Sequence, residues 1–170
     1  MHDVVRVVRP GTIEDQPLLE RIVAITVFWR PEDKDRSIED LESYRRIRLY
    51  VDNWGRDGDA AVVAQDGDQS VGAAWYRYFT AEDPGWGFVA PDVPEVAIGI
   101  IDGYRGAGFG RAMLEALIEH ARADGVRGLS LSVDMTNNRA LNLYRNTGFE
   151  VVGVNGGHYT MLLDLSRGQT

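Results

Sequence analysis

A chain of 170 residues, 44% apolar and 26% charged, is long enough for one domain to bury its own core and too short for a second large one. The net charge of -8 argues against nucleic acid as a partner, since sequence-independent binding needs clustered Lys and Arg; the lack of cysteine excludes disulfides, thiolate nucleophiles and cysteine-ligated metals. With imidazole only at His2, His120 and His158, no metal is expected, and without a membrane-length apolar run or a signal-like leader in Met1 to Pro10 the expected location is cytoplasmic, with no membrane partner.

Val4 to Arg9 alternates Val with Arg and reads as a strand, stopped by Pro10-Gly11. Thr12-Ile13-Glu14-Asp15 resembles a capping box that opens a helix to about Phe28, with Leu18, Leu19, Ile22 and Ile25 or Thr26 as its buried stripe. Ser37-Ile38-Glu39-Asp40 predicts a second helix, carrying Leu41, Tyr44, Ile47 or Arg48 and Val51 until Asn53-Trp54-Gly55 ends it. Ala60 to Gln65 and Gln69 to Phe79 form a hairpin around Asp66-Gly67-Asp68. Residues 80 to 94 are too rich in Pro and Gly for a regular element and read as a lid or a covered edge. A strand follows from Glu95 to Ile101, then a helix from Gly106 to Ala123 stopped at Asp124-Gly125. Leu129, Leu131 and Val133 alternate with polar residues as the next strand, Asn138 to Asn146 is a short helix, and Phe149 to Val154 pairs with Tyr159 to Leu165. The order β-α-α-β-β-β-α-β-α-β-β, with no repeat or linker, predicts one mixed α/β domain over residues 1 to 170; the helices are too few for a doubly wound sheet.

The most informative stretch runs from Ile100 to Arg111, a strand end followed by a glycine-rich turn that enters a helix. Glycines at 106, 108 and 110 leave backbone N–H groups uncovered at a helix N-terminus, where the macrodipole favours an anion, and Arg105 and Arg111 flank them. This is a seat for a pyrophosphate. A P-loop would need Gly-Lys followed by Ser or Thr, and a dinucleotide fingerprint begun at Gly106 meets Arg111 at its third glycine, so neither applies.

Arg105-Gly106-Ala107-Gly108-Phe109-Gly110 resembles the Gln/Arg-x-x-Gly-x-Gly/Ala motif of the GCN5-related N-acetyltransferases. Upstream, Val96 to Ile101 resembles the family's fourth strand, and downstream Asn137 to Phe149 is similar to its Asn-x-x-Ala-x-x-x-Tyr-x-x-x-Gly-Phe segment. The resemblance implies acetyl-coenzyme A as donor and an amine as acceptor. It also implies that the backbones of Ile100 and Ile101 bind the pantetheine arm, and that the segment from Asp102 through Arg105, Gly106, Ala107, Gly108, Phe109, Gly110 and Arg111 holds the pyrophosphate. Asn137 would contact the arm, Ala140 would let it pass, and Tyr144 would point its hydroxyl at the thioester sulfur. A homodimer is implied as well, with the closing hairpin as its edge.

These roles suit the chemistry. An alkyl amine of pKa ~10.4 is mostly protonated at neutral pH and needs a base, whereas the departing thiolate needs a donor such as the phenol of Tyr144. Glu95, at the start of the motif-bearing strand, is the candidate base, with Asp134 and Glu82 as rivals. A backbone N–H of Ile100 or Ile101 would polarise the thioester carbonyl. Trp29 and Trp86 are expected in the acceptor pocket. With no Cys or Ser nucleophile constellation, the amine would attack the thioester directly in a ternary complex. The alternatives are a non-catalytic acyl-coenzyme A sensor and a transferase of another acyl group.

Overall fold

The computed structural model describes residues 3–33 and 35–166. Its strands are β1 (Arg6–Pro10), β2 (Ala60–Asp66), β3 (Gln69–Arg77), β4 (Glu95–Ile100), β5 (Gly128–Asp134), β6 (Glu150–Asn155) and β7 (His158–Asp164), and its helices are α1 (Gln16–Val27), α2 (Tyr44–Arg48), α3 (Phe109–Ala123) and α4 (Asn138–Asn146). The element order is the expected one. The strands form a mixed sheet in the order β1-β2-β3-β4-β5-β7-β6. The chain packs as two compact units, Met1–Trp75 with Ala97–Leu117 and Tyr76–Val96 with Ile118–Thr170.

In the first unit, β1 runs antiparallel to β2 with Arg6 opposite Asp66 and Pro10 opposite Val62. The chain turns into α1 through a capping box: Thr12 Oγ1 accepts from the Glu14 N–H, and Asp15 Oδ2 accepts from the Thr12 N–H at 2.7 Å. Asp15 is gripped in turn by the Arg9 guanidinium, with bonds of 2.8 and 2.9 Å. A 3-10 turn over Ile13–Asp15 precedes the α-helix proper, and Pro17 falls in the first turn, where its missing N–H costs nothing. The buried stripe is Leu19, Ile22 and Val23, while Leu18, Ile25 and Thr26 are only partly covered. The helix approaches β4 at Gly99, where an added Cβ would lie 2.8 Å from Ile22 Cγ2 and 3.0 Å from Thr26 Cγ2.

The second expected helix is not continuous. Ile38–Asp40 is a 3-10 turn, Leu41 is extended at φ -90°, ψ 141°, and only Tyr44–Arg48 is α-helical before further turns reach Asn53, at φ 55°. The apolar spacing was nevertheless informative, since Ile47 and Val51 are buried with Trp54. Trp75 lies fully buried and its indole N–H donates to the Tyr50 carbonyl at 2.9 Å. The turn between β2 and β3 contains Gly67 at φ 59°, as a tight hairpin requires. Met113, Leu114 and Leu117 of α3 complete this core.

In the second unit, α3 ends in a Schellman motif: Gly125 has φ 73°, the Val126 N–H donates to the Ala121 carbonyl, and the Gly125 N–H to that of Arg122. The same pattern ends α4, where Gly148 has φ 106° and the Phe149 N–H reaches the Tyr144 carbonyl at 3.0 Å. β5 pairs antiparallel with β7 from Gly128 opposite Asp164 to Asp134 opposite His158, and β6 pairs with β7 across an irregularity between Val151 and Gly153. Ser130, which alternation would place on a polar face, is fully buried like its neighbours Leu129 and Leu131. The inner strands are covered on both faces, so period two does not separate inside from outside there.

Among the described residues, no helix is long and apolar enough to cross a membrane. No group of three or more His, Asp and Glu side chains among them is placed to hold a metal ion. His2 lies outside the described residues, and the exposed His120 imidazole sits 3.1 Å from Asp124.

Candidate active site

The glycine-rich segment belongs to the first unit, between β4 and α3. Gly103, Gly106 and Gly108 have φ of 94°, 84° and 85°, a region that side chains with a Cβ rarely occupy. These angles keep the helix from starting at Gly106; it starts at Phe109, whose fully buried ring meets the edge of Tyr104 at 6.0 Å. Among the described residues, the N–H groups of Gly106 through Gly110 donate to no protein acceptor, and the first helical bond runs from the Ala112 N–H to the Gly108 carbonyl. The loop thus presents a row of unspent donors at the positive end of a helix dipole.

Two pins hold this loop. Partial burial and the Asp66 carboxylate beside it raise the pKa of the Tyr104 hydroxyl, which also donates to Gln69 Oε1 at 3.3 Å. Arg6 of β1 reaches across to donate to the Ala107 carbonyl at 2.9 Å. Neither pin was expected from the sequence, because nothing in a Val/Arg alternation says which distant carbonyl an arginine will meet. The two arginines assigned to the anion are paired locally and exposed: Arg105 lies 3.7 Å from Asp102, and Arg111 lies 2.8 Å from Glu115.

The expected backbone donors are not equivalent. The Ile101 N–H is committed to the Val71 carbonyl at 2.8 Å, and the Ile101 carbonyl accepts from the Tyr104 N–H at 3.3 Å. Because strand N–H groups alternate in direction, that of Ile100 points away from β3. This leaves Ile100 as the candidate donor to the thioester carbonyl.

The second unit carries the other expected residues. Ala140 and Tyr144 lie one turn apart on one face of α4. Asn137 is the N-cap of this helix: its Oδ1 accepts from the Ala140 N–H at 3.2 Å, which leaves its amide NH₂ group to donate elsewhere. Tyr144 is 8% exposed, its ring tilted against Phe149 at 5.9 Å, and burial pushes its phenol well above the ordinary tyrosine value. Its hydroxyl meets no hydrogen-bonding partner among the described residues.

Glu95 is 3% exposed, although a glutamate after proline at a strand start is more often solvated. It stands opposite Ser130 in the parallel pairing of β4 with β5. Of its rivals, Asp134 accepts from the N–H and hydroxyl of Thr136 at 2.8 and 2.7 Å, and Glu82 is exposed.

The segment before β4 lies on the sheet. Gly87 rests so closely on β5 that a Cβ there would come within 2.4 Å of the Leu131 carbonyl carbon, and the Trp86 carbonyl accepts from Asn155 Nδ2 at 3.5 Å. Trp86 is half-buried. Trp29, at the end of α1 in the first unit, is half-buried too and stacks with the Arg30 guanidinium at 4.9 Å.

Residues 22–149 match the model of the Acetyltransferase (GNAT) family. The chain belongs to this family. Its GNAT relatives include the mycothiol acetyltransferase of Geodermatophilus obscurus, 33% identical over 85% of this chain and 44% of that protein. The chain spans less than half the length of the mycothiol acetyltransferases it matches. Among solved GNAT structures, the ribosomal-protein-alanine N-acetyltransferase from Brucella melitensis is 26% identical with a TM-score of 0.64, covering 93% of this chain and 99% of that one. The fold is shared also with yncA from Salmonella typhimurium, a putative acetyltransferase solved with its cofactor acetyl-CoA, at TM-score 0.64 and 20% identity over 97% of this chain and 96% of that one.

Proposed function

We propose that this chain is an N-acetyltransferase that moves the acetyl group of acetyl-coenzyme A to an amine of a small molecule or peptide. The observation that carries the reading is the row of unspent N–H groups from Gly106 to Gly110, held open by positive-φ glycines at the start of α3 in a GNAT chain. Such a row suits a diphosphate, because each donor is oriented before the ligand arrives and the helix dipole adds to it. The yncA structure with acetyl-CoA supports the choice of donor.

In this reading the loop from Asp102 to Arg111 binds the diphosphate, the Asn137 amide donates to the pantetheine arm, and the small Ala140 leaves that arm room. The amine nitrogen forms its bond to the acetyl carbon as the carbon–sulfur bond breaks. The surplus amine proton passes to the Glu95 carboxylate, and the Tyr144 hydroxyl supplies a proton to the departing sulfur. The position of Tyr144 one turn after Ala140 on α4, with a hydroxyl that no described residue engages, supports the assignment; at neutral pH the phenol is protonated and can donate to the departing sulfur. A cytoplasmic setting goes with an acyl-coenzyme A donor.

Calorimetric titration with acetyl-coenzyme A tests the reading. The wild type is expected to bind saturably. Gly108→Glu is expected not to bind, because its carboxylate enters the anion seat and its Cβ falls on the Arg6 guanidinium, 2.3 Å from Nη1. Release of thiol with an amine then separates a transferase from a sensor. No wild-type binding would remove the proposal.

A further inference from the structure

The guanidinium of Arg6 stands over the one loop on which the acetyltransferase reading depends. Arg6 is an exposed residue of β1, 101 positions from the carbonyl it serves. Its Nη1 donates to the Ala107 oxygen at 2.9 Å and lies 2.3 Å from where a Cβ on Gly108 would sit. Only a residue without a Cβ lets the guanidinium come so close. This is its one hydrogen bond among the described residues, and it makes no ion pair with a carboxylate there, unlike Arg105 and Arg111.

The consequence follows from the peptide group. A trans peptide is planar, with its oxygen and its N–H pointing in opposite directions, and no cis bond occurs among the described residues. A donor that fixes the Ala107 oxygen therefore also fixes the Gly108 N–H, turned away from Arg6. Glycine on either side of Ala107 would otherwise let that peptide rotate, since Gly106 and Gly108 are the residues with the widest backbone freedom. The neighbouring peptides are steadied at the other end by Tyr104, through Gln69 and the Phe109 ring.

We propose that Arg6 is a positioning residue for the donor site: by holding the Ala107 carbonyl it aims the Gly108 N–H at the diphosphate of acetyl-coenzyme A, without itself touching the phosphates. The proposal rests on the acetyltransferase reading above. The geometry favours positioning over direct contact, because the guanidinium is on the carbonyl side of the peptide and the donor it sets is on the other.

The test compares wild type, Arg6→Ala and Arg6→Lys as full chains. Calorimetry gives Kd for acetyl-coenzyme A, steady-state thiol release divides the effect between KM and kcat, and ¹⁵N relaxation gives order parameters of Gly106 to Gly108 without ligand. Arg6→Ala is expected to raise Kd roughly threefold to tenfold, the scale of one lost hydrogen bond. The loss should appear in KM for the donor more than in kcat, and the loop order parameters should fall before any ligand is added. Arg6→Lys, which keeps a donor of similar reach, should recover most of both. Unchanged Kd in Arg6→Ala overturns the proposal, and so does weaker binding with unchanged loop order, which would make Arg6 a direct electrostatic ligand. A wild type that does not bind removes the acetyltransferase reading and this inference together, whereas binding by wild type and Arg6→Ala alike removes the inference alone.

Discussion

A phenol buried like that of Tyr144 stays protonated well past the pH at which an exposed tyrosine ionises, because the charged form would lose its hydration. Tyr144→Phe keeps the ring against Phe149 and removes only the proton donor. It is expected to lower kcat by about 100-fold in a thiol-release assay, with donor KM changed by less than about twofold. Since the folded-state pKa is raised, the wild type should show no descending limb from this group up to about pH 10, the ordinary tyrosine value; a limb below that pH would argue against Tyr144 as the donor. Candidates of this kind could be named from the sequence because Gly106, Gly108, Asn137, Ala140 and Tyr144 stand in two short segments, and the local conformations found there, positive φ at the two glycines and an N-cap at Asn137, depend on neighbours in the chain. Arg6 and the spent N–H of Ile101 were not legible, since both depend on partners far along the chain, Ala107 for one and Val71 for the other.

Caps and glycines fix most of the elements, and the Thr12–Asp15 box shows how much one of them contributes. Asp15 satisfies the Thr12 N–H and is held by both terminal nitrogens of Arg9. The hydrogen bond from Arg9, with that of Thr12, holds its carboxyl below the ordinary aspartate value against the opposing effect of burial. A depressed folded-state pKa means stability that is complete above the unfolded value of about 3.9 and lost as pH falls through the folded one. Asp15→Ala is therefore expected to cost about 1 kcal/mol in urea denaturation at pH 7, with the difference from wild type shrinking below about pH 4. A difference that persists undiminished at acid pH would mean that packing, not the charged cap, is responsible. Elements bounded by such signals were readable from sequence, down to the two glycines that end α3 and α4. The region after Ser37 was not, because apolar spacing of helical period survives in a series of turns: Ile47 and Val51 are buried although Leu41 is extended. In β5, burial on both faces overrode the alternation that marks Ser130 as polar.

At the scale of the whole molecule, the order of strands and helices followed from where turns could fall, and the family match over residues 22–149 agrees with it. The expectation of a single domain bears on how the two compact units behave on heating. Scanning calorimetry should give one transition, and a saturating donor at about 100 times its Kd should stabilise the chain by about 2.7 kcal/mol, moving that transition up by roughly 5–10 °C. Two transitions, with only one moved by acetyl-coenzyme A, would show that the units unfold independently. The sheet also counts in twos, and this reaches as far as the glycine-rich loop. On β1, Val7 alternates with Arg6 and faces the other way, and the register that sets Arg6 opposite Asp66 decides which side chain overhangs Ala107. Slipping β1 by one residue or by two would set a valine opposite Asp66, and only a slip of three would bring the next arginine, Arg9, to that place, so the reach to Ala107 tolerates no small error of register.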